Sequence, residues 1–168
     1  MSCVLEAIGA DPKTGRPYFM FGGNDPAGWD VGSPGLPLFT LLLAMEGDRY
    51  SDAVLSALAE SFRRGGLAYL CAWGPGCSRV HDVFDLEFVD EDIRGVEGGD
   101  VMTTWHEEEP LAEALWFAID LAIHEDVTDI SDSAVVIGTD RDEWRTEIRT
   151  RLQDVEELRR YVVEELPG

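Results

Sequence analysis

At 168 residues the chain is long enough for one domain with a continuous core, and a 45% hydrophobic content with five Trp, seven Phe and four Tyr argues against disorder. Thirteen Lys and Arg against 34 Asp and Glu give a formal net charge of -21. That sign repels phosphate backbones and excludes duplex binding, which relies on clustered basic residues; it favours solubility and suits a basic protein partner or a cationic ligand.

No apolar run approaches the roughly 20 residues that span a bilayer. The longest, Leu36 to Met45, is interrupted by Pro37 and Thr40. The start, Met1-Ser2-Cys3-Val4-Leu5-Glu6, lacks the basic and apolar regions of a secretion signal, so a cytoplasmic location is expected. Cys3, Cys71 and Cys77 are odd in number and without paired spacing, which suits free thiols in a reducing compartment.

Residues 1–35 read as an irregular N-terminal arm, rich in turn chemistry such as Gly22-Gly23-Asn24-Asp25-Pro26 and Gly32-Ser33-Pro34-Gly35. Within it, Tyr18-Phe19-Met20-Phe21 suits a short strand or a plug over the core of this subunit or a neighbour. Residues 36–168 read as a single α/β domain. Leu38 to Met45 is a strand buried on both faces. Ser51 then caps a helix carrying Val54, Leu55, Leu58, Ala59 and Phe62, closed by Gly65-Gly66.

A second buried strand, Leu67 to Trp73, leads into the turn Gly74-Pro75-Gly76 and a short helix between Cys77 and about Phe88. Gly95 to Asp100 is a loop. A third strand, Val101 to Trp105, runs into His106-Glu107-Glu108-Glu109-Pro110, where Pro110 fits a first helical turn. Leu111, Leu115, Ala118, Ile119 and Ala122 mark an amphipathic helix ending near His124, whose imidazole is placed to satisfy terminal carbonyls. Ser133 to Gly138 is a fourth strand. Asp140 is positioned to cap one long final helix, with Trp144, Ile148, Leu152, Val155, Leu158 and Val162 as its apolar stripe.

Strands alternating with helices imply a small three-layer α/β sandwich around a mainly parallel four-stranded sheet. By analogy, a flavodoxin-like or Rossmann-like order is expected, with the four strands arranged 2-1-3-4.

Two segments carry a resemblance. Ala72-Trp73-Gly74-Pro75-Gly76-Cys77 followed by His81-Asp82, and Val101-Met102-Thr103-Thr104-Trp105-His106-Glu107-Glu108-Glu109-Pro110-Leu111, resemble a family of small bacterial proteins known as a domain of unknown function. The resemblance runs from about Leu36 to Asp142. The family pattern has an Asp-Asp pair after the Cys where this chain has His81-Asp82. The resemblance implies a fold and a choice of segments, and no activity.

Ligands of open parallel sheets bind outside the carboxyl ends of the strands. Gly74 to Asp82, Thr103 to Glu109, Glu46-Gly47-Asp48 and Thr139-Asp140 all fall on that rim. Cys77 as nucleophile with His106 or His81 as its base is one catalytic arrangement, with Asp82 or Glu107 orienting the imidazole. Trp73, Gly74, His81, Asp82, Thr103, Thr104, Trp105 and Glu107 are the candidate ligand-binding residues, the two Trp for stacking and the two Thr for hydrogen bonding.

His81, Asp82, His106 and Glu107 have the donor types of a metal site, but no His-x3-His, Cys-x2-Cys or Glu-x2-His spacing supports one, so no metal and no cofactor is expected. No Gly-x-Gly-x-x-Gly or Gly-Lys-Ser/Thr phosphate cradle is present. The leading expectation is an acidic interaction or accessory protein that binds a basic protein partner, without nucleic-acid or membrane binding. The alternatives are a Cys/His-dependent hydrolase or transferase, or a small-ligand sensor, with the site at the strand ends.

Overall fold

A computed structural model describes residues 5–29, 36–95 and 100–167. The Gly32-Ser33-Pro34-Gly35 turn, most of the Gly95 to Asp100 loop and Cys3 lie outside the described residues. The strands are β1 (Leu5–Ala10), β2 (Pro17–Phe21), β3 (Phe39–Ala44), β4 (Leu67–Trp73), β5 (Met102–His106) and β6 (Ala134–Thr139). The helices are α1 (Asp52–Gly65), α2 (Cys77–Ile93), α3 (Leu111–Asp120), α4 (Asp142–Leu152) and α5 (Val155–Arg160), with a π-helical turn over Tyr161–Glu165.

The strands form one sheet in the order β1-β2-β6-β3-β4-β5. All neighbours are parallel except β1 with β2. The α/β, mainly parallel architecture is as the alternating pattern predicts, but there are six strands and the expected 2-1-3-4 order is replaced. Numbered in chain order, the four strands expected from sequence lie fourth, first, second, third across the sheet. Long-range pairing decides strand order, and strands buried on both faces such as β3 and β6 carry no local mark of their neighbours. The arm is also less irregular than expected, because β1 and β2 extend the sheet beyond β6.

Every residue of β3 and of β6 is buried, as is β4 up to Ala72. Alternate side chains therefore feed two separate cores. Leu41, Leu43, Leu70 and Val136 join Leu55, Phe62 of α1 and Val80, Phe84 and Phe88 of α2. Leu42, Cys71, Val135 and Ile137 join Leu115 and Ala118 of α3, Ile148 of α4 and Leu158 of α5. The result is a three-layer sandwich, with each fully buried Leu or Phe contributing roughly 1.5–3 kcal/mol.

Ser51 caps α1 as its sequence position predicts, accepting the Val54 N–H at 3.2 Å, and Gly66 closes the helix at φ 108°. The single long final helix does not form. Asp154 turns its carboxylate to the Glu157 N–H at 3.0 Å and adopts φ -142°, which ends α4 and starts α5. Pro110 sits just outside α3, and that helix stops at Asp120. His124 is buried and accepts the Asp126 N–H at 3.0 Å, so it does not serve the carbonyls of α3.

Two buried guanidiniums tie the layers. Arg16, from the β1–β2 connection, donates to Ile119 O at 3.0 Å and to Thr40 Oγ1 at 2.9 Å, binding β3 to the end of α3. Arg63 of α1 donates to Phe88 O and to Glu91 Oε2 of α2, both at 3.0 Å, with side-chain exposures of 5% for Arg63 and 3% for Glu91. Removing one partner of a buried pair strands the other charge in the interior. Arg63→Met is therefore expected to lower stability by about 3 kcal/mol, and Arg63→Met with Glu91→Met to recover most of it, read by urea denaturation. A double variant as unstable as the single one would contradict this assignment.

Candidate functional site

The Trp-Gly-Pro-Gly turn and the Thr-Thr-Trp-His segment do emerge side by side, since β4 and β5 are parallel neighbours with Trp73 opposite His106. The turn after β4 is packed against the turn after β3. Gly74 adopts φ 109°, and a Cβ there would stand 2.6 Å from the Met45 carbonyl oxygen. Met45 N–H donates to Trp73 O at 3.1 Å and Gly47 N–H to Pro75 O at 2.9 Å. Arg79 of α2 seals the contact through Gly47 O at 2.8 Å. Gly74 thus supports backbone approach between two turns, and the amides of this region are spent on each other.

The strand β5 sends its side chains alternately to the two faces of the sheet. Thr103 and Trp105 meet α2. Thr103 Oγ1 donates to Asp85 Oδ1 at 2.7 Å and shares a 3.0 Å hydrogen bond with His81 Nε2. His81 Nδ1 lies 3.0 Å from Asp82 Oδ1, and its ring packs against Trp105 at 4.6 Å between centroids. Of the residues proposed from sequence, His81, Asp82, Thr103 and Trp105 are therefore brought together. Asp85 completes the cluster. It was not among the candidate site residues, and only its position one helical turn after His81 hints at this role.

Thr104 and His106 go to the other face. Thr104 Oγ1 is 3.1 Å from His106 Nε2, and the His106 ring packs against Phe117 of α3 at 4.6 Å. His106 Nδ1 stands 3.6 Å from Glu109 Oε1. Burial lowers the His106 pKa below the ordinary histidine value, partly offset by the Glu109 carboxylate.

Cys77 opens α2 and belongs to the core on the α1 and α2 side, 1% exposed. Burial raises its pKa, opposed by hydrogen bonds from the main-chain N–H groups of His106 and of Cys77 itself, with the Glu107 and Glu109 carboxylates adding to the rise. The Cys77 thiol and the His106 imidazole lie on opposite sides of the sheet, and the His81 ring is engaged by Thr103 and Asp82. The expected Cys-His pair is not assembled. Glu107 is exposed beyond the strand end and orients neither histidine, His106 being served by Glu109 instead. Among the described residues no group of three or more His, Cys, Asp or Glu is arranged to hold a metal ion.

The strand order sets the reversal of chain direction between β3 and β6, where an open sheet presents its ligand crevice. Asp140 sits there, 5% exposed, accepting the Tyr50 O–H at 2.7 Å and the Glu46 N–H at 3.2 Å. It is thus a bridge between strand ends and not the helix cap its position suggests, the cap site of α4 being Arg141. Arg141 bonds Glu46 at 2.7 Å and lies over the Trp144 ring at 4.9 Å. Trp144 in turn meets Trp73 edge-on at 5.0 Å, and Trp73 Nε1 donates to Glu109 O at 2.7 Å. Tyr50, Arg141 and Trp144 were not among the expected site residues, since the contact of Tyr50 with Asp140 and of Trp144 with Trp73 follows from the strand order alone.

A cavity of about 620 Å³ lies at the opposite end of the sheet, lined among others by Asp11, Thr14, Ile119, Asp120 and Ile130. Arg159 bonds both Asp11 and Asp120 beside it.

Taken as a class, the molecule is a three-layer α/β domain whose polar groups at the strand ends are held in several small, mutually satisfied clusters. The chain belongs to the family described as Domain of unknown function (DUF7684), which matches residues 24–155. No match was found among curated proteins or solved structures.

The His106 environment predicts a pH dependence. Because its folded pKa is depressed, the unfolded chain binds the proton first as pH falls. Stability is full above the unfolded value of about 6.5 and declines as pH drops through it toward the folded value. His106→Gln is expected to flatten that decline in denaturation midpoints taken across pH 7 to pH 5. An unchanged slope would contradict a buried neutral imidazole.

Proposed function

We propose that this protein is a non-catalytic interaction protein whose acidic surface engages a basic protein partner. One observation carries the reading: the distribution of unpaired carboxylates. On α4 and α5 the acids are matched: Asp142 by Arg145, Glu143 by Arg141, Glu147 by Arg151, Glu156 by Arg159 and Glu157 by Arg160. Around α2 and β5 the balance is different. Asp82, Asp85, Glu107 and Glu108 have no Lys or Arg partner among the described residues, and Asp82, Glu107 and Glu108 are exposed. Such a face attracts cationic side chains and speeds encounter with them. The separation of Cys77 from His106, and the burial of that thiol, weigh against a hydrolase or transferase built on them.

A second reading, a small-ligand sensor, is favoured by the grouping of Trp73, Trp144, Arg141 and Asp140 where β3 and β6 diverge. Aromatic faces with a cation and a carboxylate nearby suit a planar polar ligand.

Native pull-down with wild type and with Asp82→Lys, Glu107→Lys and Glu108→Lys combined separates these readings. The expected result is a basic partner lost on charge reversal, and weakened about tenfold or more as salt rises from about 50 to 300 mM. In the same preparation Cys77 is expected to resist alkylation until the protein unfolds. A partner indifferent to salt and to reversal would contradict the proposal, as would a Cys77 that reacts rapidly below pH 7.

A further inference from the structure

We propose that the basic partner docks as an extended segment, adding a strand to the outer edge of β5. The inference rests on the basic-partner reading above and specifies where and how that partner binds.

The sheet has two edges, and they differ. At β1 the pairing with β2 is irregular, with a register shift between Ala7 and Gly9, and Glu6 is clamped by Arg149 at 2.7 Å. Bulges and tethered charges of this kind blunt an edge against further pairing. At β5 the register with β4 is unbroken from Met102 to His106, and the strand contains neither Pro nor Lys. Among the described residues no strand pairs with its outer side.

The edge also exposes apolar surface on both faces of the sheet. Trp105, on the α2 face, is 49% exposed, and Met102, on the α3 face, is 46% exposed. Further along α2, past the His81 ring that meets Trp105, Leu86, Val89 and Ile93 are exposed, away from the buried line of Val80, Phe84 and Phe88. An added strand places alternate side chains on both faces, so it covers Trp105 with one set and Met102 with the other. Main-chain hydrogen bonds along five residues, about 16 Å of edge, supply the affinity, and the flanking side chains the choice of segment.

Charge identifies the occupant. The edge is bracketed by Asp100 on one side and Glu107 and Glu108 on the other, with Asp82 and Asp85 on the adjoining helix. A second copy of this chain paired about a two-fold axis would set Asp100 against Glu107 and Glu108, and like charges placed opposite each other are destabilising. A segment alternating Lys or Arg with apolar residues meets both requirements at once.

The test uses the intact protein and a short synthetic peptide alternating lysine and valine, blocked at both ends. Its controls are the same peptide with proline at its central valine, and a glutamate-valine counterpart. The readouts are affinity and amide hydrogen exchange over 102–106. The expected result is binding by the lysine-valine peptide with slowed exchange at alternate β5 amides, and about tenfold or greater loss with proline, with glutamate or in Met102→Lys, whose exposed site leaves the fold intact by circular dichroism. Equal binding of the lysine-valine and proline peptides without protection of β5 overturns strand addition while leaving a basic partner in place. Failure of every basic peptide to bind overturns both readings. Protection of β5 by the glutamate-valine peptide, or by concentration-dependent dimerisation in the absence of peptide, overturns the assigned occupant.

Discussion

The period-two alternation of β5 governs the chemistry at the strand ends. Because Thr103 and Trp105 must point one way and Thr104 and His106 the other, the two conspicuous histidines of the carboxyl end are divided by the sheet. Each then acquires its own set of partners: His81 is held by Asp82, Thr103 and the Trp105 ring, and His106 by Thr104, Glu109 and the Phe117 ring. A shift of one residue would exchange the faces and bring His106 to the side of α2, but the parallel pairing of β5 with β4, which is buried up to Ala72, resists it. The same alternation leaves one apolar side chain bare on each face of the edge, so the division of the histidines and the stickiness of the edge share a cause.

The interior is built differently from that edge. Strands β3 and β6, buried throughout, carry two cores on their opposite faces, and two guanidiniums with hydrogen-bond partners tie the layers, Arg16 toward α3 and Arg63 between α1 and α2. Among the described residues the buried carboxylates, Asp11, Glu91 and Asp140, each have hydrogen-bond partners, and the rest of the acids lie nearer the surface. Where Arg residues are dense, on the last two helices, carboxylates are neutralised in place. Where they are absent, at Asp82 and Asp85 in the first half of α2 and at Glu107 and Glu108 after β5, the carboxylates have no Lys or Arg partner among the described residues. Net charge alone says nothing about location; the placement of a few arginines does.

Much of the architecture was legible in the sequence because it is local. The cap at Ser51, the close at Gly66 and the buried runs that became β3, β4 and β6 follow from residue type and spacing. Two kinds of feature were not. Strand order depends on contacts between distant segments, which is why β6 lies beside β3, and why Trp144 meets Trp73 under Arg141 and Tyr50 meets Asp140 unforeseen. Competition between local signals was the other: Asp140 looks like a cap and serves as a bridge to Tyr50, while Asp154, within an unbroken apolar stripe, interrupts the helix by binding its own backbone. For the candidate site, the sequence correctly directed attention to adjacent strand ends but did not reveal which face of β5 each residue occupies.

The claim that β5 separates the two histidines is open to direct observation in solution. A two-dimensional nuclear Overhauser spectrum of the folded protein, with the aromatic protons assigned, should connect the His81 ring to the Trp105 indole and the His106 ring to Phe117. Cross-peaks from the His106 ring to Val80 or to the His81 ring would place it on the α2 side and contradict the account.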